Sequence, residues 1–382
     1  MSGDGITLFL CGDVMTGRGI DQILAHPSAV GLHEPWICDA RDYVELAERI
    51  NGPIPRRVEP AYIWGDALRK LDRLRPDVRI VNLETTLTTS DAHSPRKAIH
   101  YRMHPAGVDC LTVAGIDVCA LANNHLLDYN HAGLTETLNT LHHAGIKTAG
   151  AGLDRMEAER PAVVHVSRDH RVIVYSLGCE NSGVPELWSA LSDRSGVDYL
   201  PDLSNGAADR VLERVSVGRR PGDIVIASIH WGSNWGYDIP ESYVRFAHRL
   251  LDGGVALVHG HSSHHPRPIE VYNGELILYG CGDFLTDYEG IRRHRKYRSD
   301  LAMMYFATVD ADTGELMDLR MTPMRIRRFQ ATFASCDEAK WLHDTIARQS
   351  QRFGTSIQLL TDDTTSTMEL ALRQKRGHRR DL

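Results

Sequence analysis

The sequence lacks a C-x-x-C pair. Its seven cysteines, Cys11, Cys38, Cys110, Cys119, Cys179, Cys281 and Cys336, are odd in number and irregularly spaced. That pattern speaks against a disulfide framework and against a thiolate zinc site, and it fits a reducing compartment. No apolar run approaches the ~18 residues needed to cross a bilayer. The N-terminus, M-S-G-D-G followed by the short run Ile6–Cys11, has neither the basic start nor the long apolar stretch of a secretory signal. A cytoplasmic chain without a membrane partner is expected. Basic excess is also missing. Lys and Arg number 43 against 50 Asp and Glu, a net charge of -7, so no general attraction to nucleic acid follows. The one basic run, Lys375–Arg380, is short and terminal and reads as a frayed tail.

What is present is the material of a globular enzyme-sized chain. The 382 residues are 42% hydrophobic and 24% charged, enough for a sizeable core. Short runs rich in Val, Ile and Leu recur at Ile6–Cys11, Val78–Leu83, Val118–Ala122, Val172–Leu177, Ile224–Ile229, Val255–Val258 and Leu276–Leu278. Runs of this length read as buried strands. Between them, Val44–Ile50, Tyr62–Leu74, Leu134–Ala144 and Tyr243–Leu251 carry apolar residues at helical spacing. Alternation of the two predicts an α/β fold with helices covering a sheet. After residue 300 the pattern becomes a pair of strands, Leu301–Val309 and Leu319–Phe329. A helix near Glu338–Gln349 follows, and then a polar, loose stretch from 355 to 382. The expected division is a main domain over 1–335 and a C-terminal helix with a loose tail over 336–382.

Histidine is abundant, at 20 residues, and its placement carries the chemistry. Six runs end in a metal-capable or proton-transferring side chain. They lead into Gly12-Asp13, Asn82 with Glu84, Asn123-Asn124-His125 with Asp128, His230-Trp231, His259-Gly260-His261 with His264-His265, and Gly280-Cys281-Gly282-Asp283. Ligands of α/β sheets bind beyond the carboxyl ends of the strands. If these strands run parallel, the six groups share one rim. One such residue alone is more often a cap or a turn; six in sequence order predict a shared site. Carboxylate, amide and imidazole together suit one divalent ion, with Ca, Mn, Mg, Zn and Fe not distinguished. Trp231, Trp235 and Tyr237 beside His230 are candidates for a substrate wall, and Arg18 for an anion contact.

At these residues the chain resembles the CapA family, the poly-γ-glutamate capsule-biosynthesis proteins, whose fold is similar to calcineurin-like metallophosphoesterases. The matching segments are G-D-V-M at 12–15, N-L-E-T at 82–85 and A-N-N-H-L-L-D at 122–128. They continue with I-H-W-G at 229–232, V-H-G-H-S-S-H-H-P at 258–266 and L-Y-G-C-G-D-F at 278–284. The resemblance implies a calcineurin-like four-layer α/β/β/α sandwich and metal ligation by Asp13, Glu84, Asn124, His230, His259 and His261. It departs from the two-metal phosphoesterase pattern at Met15, where an Asp-x-His start would supply a histidine. It departs again at Asp283, where an amide is usual. Many capsule proteins also carry a membrane anchor. Within the family, the chain is similar to soluble lasso-peptide epimerases. That likeness implies a metal-dependent isomerase that inverts a Cα centre of a peptide substrate. Epimerisation needs a base and an acid on opposite faces of Cα and positive charge near the enolate-like intermediate. His125, His261, His264 and His294 are the candidate proton carriers, with Asp13, Asp128 and Asp283 to orient them. The alternatives are a divalent-metal-dependent hydrolase of phosphoesters or amides, and a capsule polymer assembly protein.

Overall fold

The apolar runs form strands because each is covered on both faces, and the covering partitions them into two sheets. The computed structural model describes residues 5–95, 97–291, 295–361 and 368–372. In the first sheet Gly5–Val14, Val78–Leu83, Val118–Ala120 and Lys147–Ala149 lie side by side and parallel. Leu301–Asp310 pairs antiparallel on the other side of Gly5–Val14, followed by Leu316–Arg327. The second sheet has the parallel strands Arg171–Cys179, Asp223–His230, Leu257–His261 and Glu275–Leu278. Antiparallel edge strands Ala162–His165 and Ile269–Tyr272 flank them.

Alternation along each strand sends successive side chains to opposite faces. Leu8, Leu10, Ile80 and Val118 of the first sheet pack against Val172, Val174, Ile224 and Ile226 of the second. Phe9, Cys11, Val81 and Cys119 face the other way, onto Val44, Leu71 and Leu134 of three helices. Ile173, Tyr175, Val225 and Ala227 likewise meet Val211, Phe246 and Leu250 of the helices Asn205–Ser216 and Glu241–Asp252. The result is the expected four-layer α/β/β/α sandwich. The carboxyl ends of the parallel strands of both sheets open on one edge, and there the polar motifs collect.

The C-terminal region departs from expectation. The helix runs over Cys336–Ser350, but the stretch after 355 is not wholly loose. Ile357–Thr361 and Met368–Leu372 form an antiparallel pair, and the second of them joins Leu316–Arg327 at the edge of the first sheet. Ile357 and Leu359 pack against the inter-sheet core. These two five-residue segments, short and set in a polar tail, gain their order from an existing edge. The basic run Lys375–Arg380 lies outside the described residues. Among those described, no helix is long and apolar enough to cross a membrane.

Helix Cys336–Ser350 opens with a capping box, in which Ser335 accepts from the Glu338 amide and Glu338 accepts from the Ser335 amide. Ser335→Ala removes one half of the box. Chemical denaturation should report a loss of about 1 kcal/mol.

Candidate metal centre

Strand register does most of the assembly. In the first sheet Asp13 lies opposite Asn82 on one side and Asp283 on the other. In the second, His230 lies opposite His261, and Ser228 opposite His259. Gly12 lets the first strand approach the Asp283 strand closely: a Cβ at this position would stand 1.6 Å from the carbonyl oxygen of Gly282. Asp13, His230 and His261 face one another across the gap between the sheets. Each offers a ligand atom within 4.8 Å of the others, and all three are buried.

The hydrogen-bond inventory shows what these groups still require. Asn82 donates to Oδ1 of Asp13 at 2.7 Å. Asp13 Oδ2, Asn124 Oδ1 and His230 Nε2 are buried and have no partner. A carboxylate oxygen of Asp13, with only the Glu84 carboxyl near it, and an unpaired imidazole nitrogen of His230 are costly to bury without a ligand and suit a cation. Burial pushes the Asp13 carboxyl up to about 6. Burial, and then the charge of Asp13, pushes Glu84 well above the ordinary carboxylate range. Burial holds His230 and His261 well below the usual imidazole range, so both rings are neutral at physiological pH and have an electron pair to give. Carboxyls pushed upward by burial and by each other, beside neutral imidazoles, are the donor set of a divalent-metal site.

Around this core stand three further groups. His125 donates from Nδ1 to Asp128 at 2.6 Å, and its Nε2 lies 3.7 Å from Glu84. Burial lowers the His125 ring to about 4. Lys97 bonds to Asp128 and to the Asn124 carbonyl, so Asp128 stays ionised: burial opposes this, and His125 and Lys97 outweigh burial. His264 bonds through Nδ1 to both oxygens of Asp283, at 2.9 and 3.1 Å. Burial would lower His264, but the Asp283 carboxylate more than compensates and raises it.

A cavity of about 370 Å³ opens beside the centre, lined by His264, Tyr101, Tyr288, Trp235, Trp36 and Arg18 among others. Tyr101 is the link between the two, since its ring stacks on His125 with centroids 3.9 Å apart. Arg18 forms part of the floor. It is buried and committed to Asp287 and Glu34 at 2.5 and 2.9 Å, with the Tyr43 hydroxyl accepting at 2.9 Å.

The structure brings Asp13, His230 and His261 together with Glu84 beside Asp13, and His125, Asp128, His264 and Asp283 stand around them, while the Asn124 side chain lies against Gly183. His259 stands apart. Both of its ring nitrogens are engaged, Nε2 with the Cys11 carbonyl at 2.8 Å and Nδ1 with Ser228 at 3.0 Å. Trp231 is a core residue, fully buried against Tyr243 and Phe246, with its indole N–H on the Tyr279 carbonyl. Trp235 reaches the cavity. Tyr237 packs edge-on against His265. His294 lies outside the described residues. Sequence reasoning missed Lys97 and Ser228. Lys97 sits in a loop with no motif. The Ser-x-His spacing of 228–230, set against His-x-His at 259–261, was the available signal for Ser228.

Comparison with known proteins places these observations among relatives. A family model described as bacterial capsule synthesis protein PGA_cap matches residues 7–288. A Mycobacterium tuberculosis protein named "probable polyglutamine synthesis accessory protein" is 50% identical over 355 residues, 93% of each chain. The PGA biosynthesis protein CapA of Bacillus subtilis is 25% identical over 91% of this chain and 78% of its own. The capsule biosynthesis protein CapA of Bacillus anthracis is 25% identical over 54% of this chain and 49% of its own. These names correct the expectation of a lasso-peptide epimerase: they point to polymer synthesis, and none of the three describes an isomerase. The histidines and carboxylates that suggested two-sided proton transfer are equally the donors of a metal centre. That ambiguity of side-chain chemistry let the sequence be misread.

Proposed function

The chain belongs to the bacterial capsule synthesis protein PGA_cap family, and from that premise we propose that it is an accessory protein in the synthesis of a glutamine or glutamate polymer, with one divalent ion held at the buried centre. The observation that carries this reading is the 50% identity over 93% of both chains to a relative named for polyglutamine synthesis. The unpaired Asp13 Oδ2 and His230 Nε2 support the ion. Asp13, His230 and His261 would hold it, with Glu84 alongside. When bound, the ion supplies a Lewis acid for a carbonyl or carboxylate oxygen of the polymer. The chain's own residues do the rest. The adjoining cavity is of a size that accepts a chain end. Tyr101 and Trp235 form apolar walls that exclude water, and His264, held by Asp283, keeps a proton at the cavity margin.

The test has two arms. In a producing strain, loss of this gene should lower the amount of glutamine or glutamate polymer, and a His230→Ala copy should fail to restore it. In vitro, the Mn²⁺-loaded protein should bind oligoglutamine or oligo-γ-glutamate more tightly than the metal-free protein does. Unchanged polymer content together with no binding of either oligomer overturns the reading.

The raised Asp13 and Glu84 carboxyls give the ion a defined pH dependence. An incoming cation must displace their protons. Affinity should therefore be greatest at alkaline pH and fall as pH drops through about 6 and below. The expected slope is about tenfold per pH unit for each proton displaced. Calorimetric titration with Mn²⁺ at pH 8, 7 and 6 measures it, and a flat profile would exclude these two carboxylates from the centre.

A further inference from the structure

Two buried residues, Ser228 and His259, stand behind His261 on the side away from His230. The chain of contacts starts in the first sheet. The register between Gly5–Val14 and Val78–Leu83 shifts between Leu10 and Asp13. Across this irregularity the Cys11 carbonyl oxygen lies 2.8 Å from Nε2 of His259 in the opposite sheet. A carbonyl can only accept, so His259 carries its proton on Nε2. His259 is fully buried and, among the described residues, no carboxylate bonds to it, so a second proton would place an unpaired charge in the core. Its Nδ1 is therefore an acceptor.

Ser228 lies 3.0 Å from that Nδ1 and must spend its only hydrogen there. Its oxygen also lies 3.0 Å from Nε2 of His261. With the hydroxyl hydrogen already committed, Oγ can only accept, so His261 carries its proton on Nε2. What remains to His261 is Nδ1, an electron pair, 2.8 Å from Nδ1 of His230 and beside Asp13. Every step follows from counting hydrogens along four contacts. In the ion-free protein the chain closes when His230 donates from Nδ1 to His261. That leaves His230 Nε2 unprotonated, and it is this buried atom that has no partner.

We propose that Ser228 and His259 are positioning residues. Anchored on the Cys11 carbonyl, they form a one-directional hydrogen-bond relay that locks His261 in its Nε2–H tautomer, so that Nδ1 keeps its electron pair and presents it toward His230. Partners of this kind, standing behind a ligand, fix ring orientation and raise its basicity, and their loss weakens metal affinity. The ion part of the proposal rests on the reading of the centre given above. The tautomer part stands without any ion.

Nitrogen-15 NMR of histidine-labelled, ion-free protein reads the tautomers directly. The expected result is Nε2–H for His259, Nε2–H for His261 and Nδ1–H for His230. Ser228→Ala should mix the His261 tautomers and weaken Mn²⁺ or Zn²⁺ binding by about 10- to 100-fold in a chelator competition. Ser228→Thr, which keeps a hydroxyl, should restore most of both. A wild-type protein with the His261 or His259 proton on Nδ1 overturns the relay, even if the Ser228 variants fail to fold. So does a folded Ser228→Ala with an unchanged His261 tautomer and unchanged affinity. The expected tautomers in a protein that binds neither ion support the relay and overturn the ion reading instead.

Discussion

Arg18→Ala is expected to cost about 3–5 kcal/mol of stability, the range for removing one partner of a buried ion pair. Arg18 is only 4% exposed. Its guanidinium grips Asp287 through two nitrogens, at 2.5 and 3.1 Å, and Glu34 through a third at 2.9 Å. The rings of Tyr43 and Tyr101 cover it, with centroids 3.8 and 4.7 Å away. Alanine would leave two carboxylates buried without a cation. Desolvation already presses Asp287 upward, against the lowering influence of Arg18. In the variant only the Gly19 amide, 2.9 Å from Asp287, still opposes it, and the carboxyl should bind a proton in the folded state more readily than in wild type. A folded-state pKa raised above the unfolded one gives stability that is present in acid and lost as pH rises. The variant should thus melt closer to wild type at pH 5 than at pH 8. Arg18→Lys should rescue little, because a point charge cannot grip Asp287 with two nitrogens. A loss of stability below about 1 kcal/mol, or one independent of pH, would show that the three charges are not coupled as the distances indicate. The change also bears on the cavity. Glu34, the one strongly buried residue between Gly31 and Asp39, would lose its cation at the cavity wall while keeping the Tyr43 hydroxyl as a donor.

Arg18 also illustrates how the site was legible in part. A lone arginine after a glycine gives no hint of its partners, since Glu34 and Asp287 are 16 and 269 residues away. Strand-end motifs are different. An apolar run followed by Asp13, or by His230, carries both its secondary structure and its chemistry in a few adjacent residues. Parallel order then collects such residues on one edge without further information. The sequence could not show which members of a motif face the gap between the sheets and which turn to other partners. His259 and His261 sit on the same face of one strand, yet His259 is taken by Cys11 and Ser228 while His261 points at His230. The difference is set by a register shift in a strand of the other sheet. No local pattern encodes it. Trp231 failed as a cavity residue for a similar reason, because its neighbour His230 faces the centre and alternation sends Trp231 into the helix layer. The C-terminal strands were hidden because their order comes from an edge formed by Leu316–Arg327, not from their own composition.

Gly12→Ala should approach the loss of Arg18 in its cost, and for a purely steric reason. The added methyl would stand 1.6 Å from the Gly282 carbonyl oxygen and 2.7 Å from its carbon. Both are backbone atoms. A crowded side chain can change rotamer, but here the only relief is to move a strand. The strand cannot move cheaply. The Asp13 amide donates to that same Gly282 carbonyl at 2.9 Å, and the Met15 amide donates to Leu285 at 2.9 Å. Separating Gly5–Val14 from Asp283–Leu285 breaks both bonds in a buried place. Overpacking of a well-filled core commonly costs about 1–3 kcal/mol, and a backbone clash this short belongs at or beyond the upper end. The same movement displaces Asp13 from Asn82, His230 and His261. The variant should therefore lose Mn²⁺ affinity by far more than its loss of stability alone would produce. Thermal melting and ion titration on the same preparation separate the two effects. Gly12→Ser should behave no better, since its Cβ meets the same oxygen. If Gly12→Ala folds with wild-type stability and binds Mn²⁺ normally, the close approach of the first strand to Gly282 is not what sets the centre.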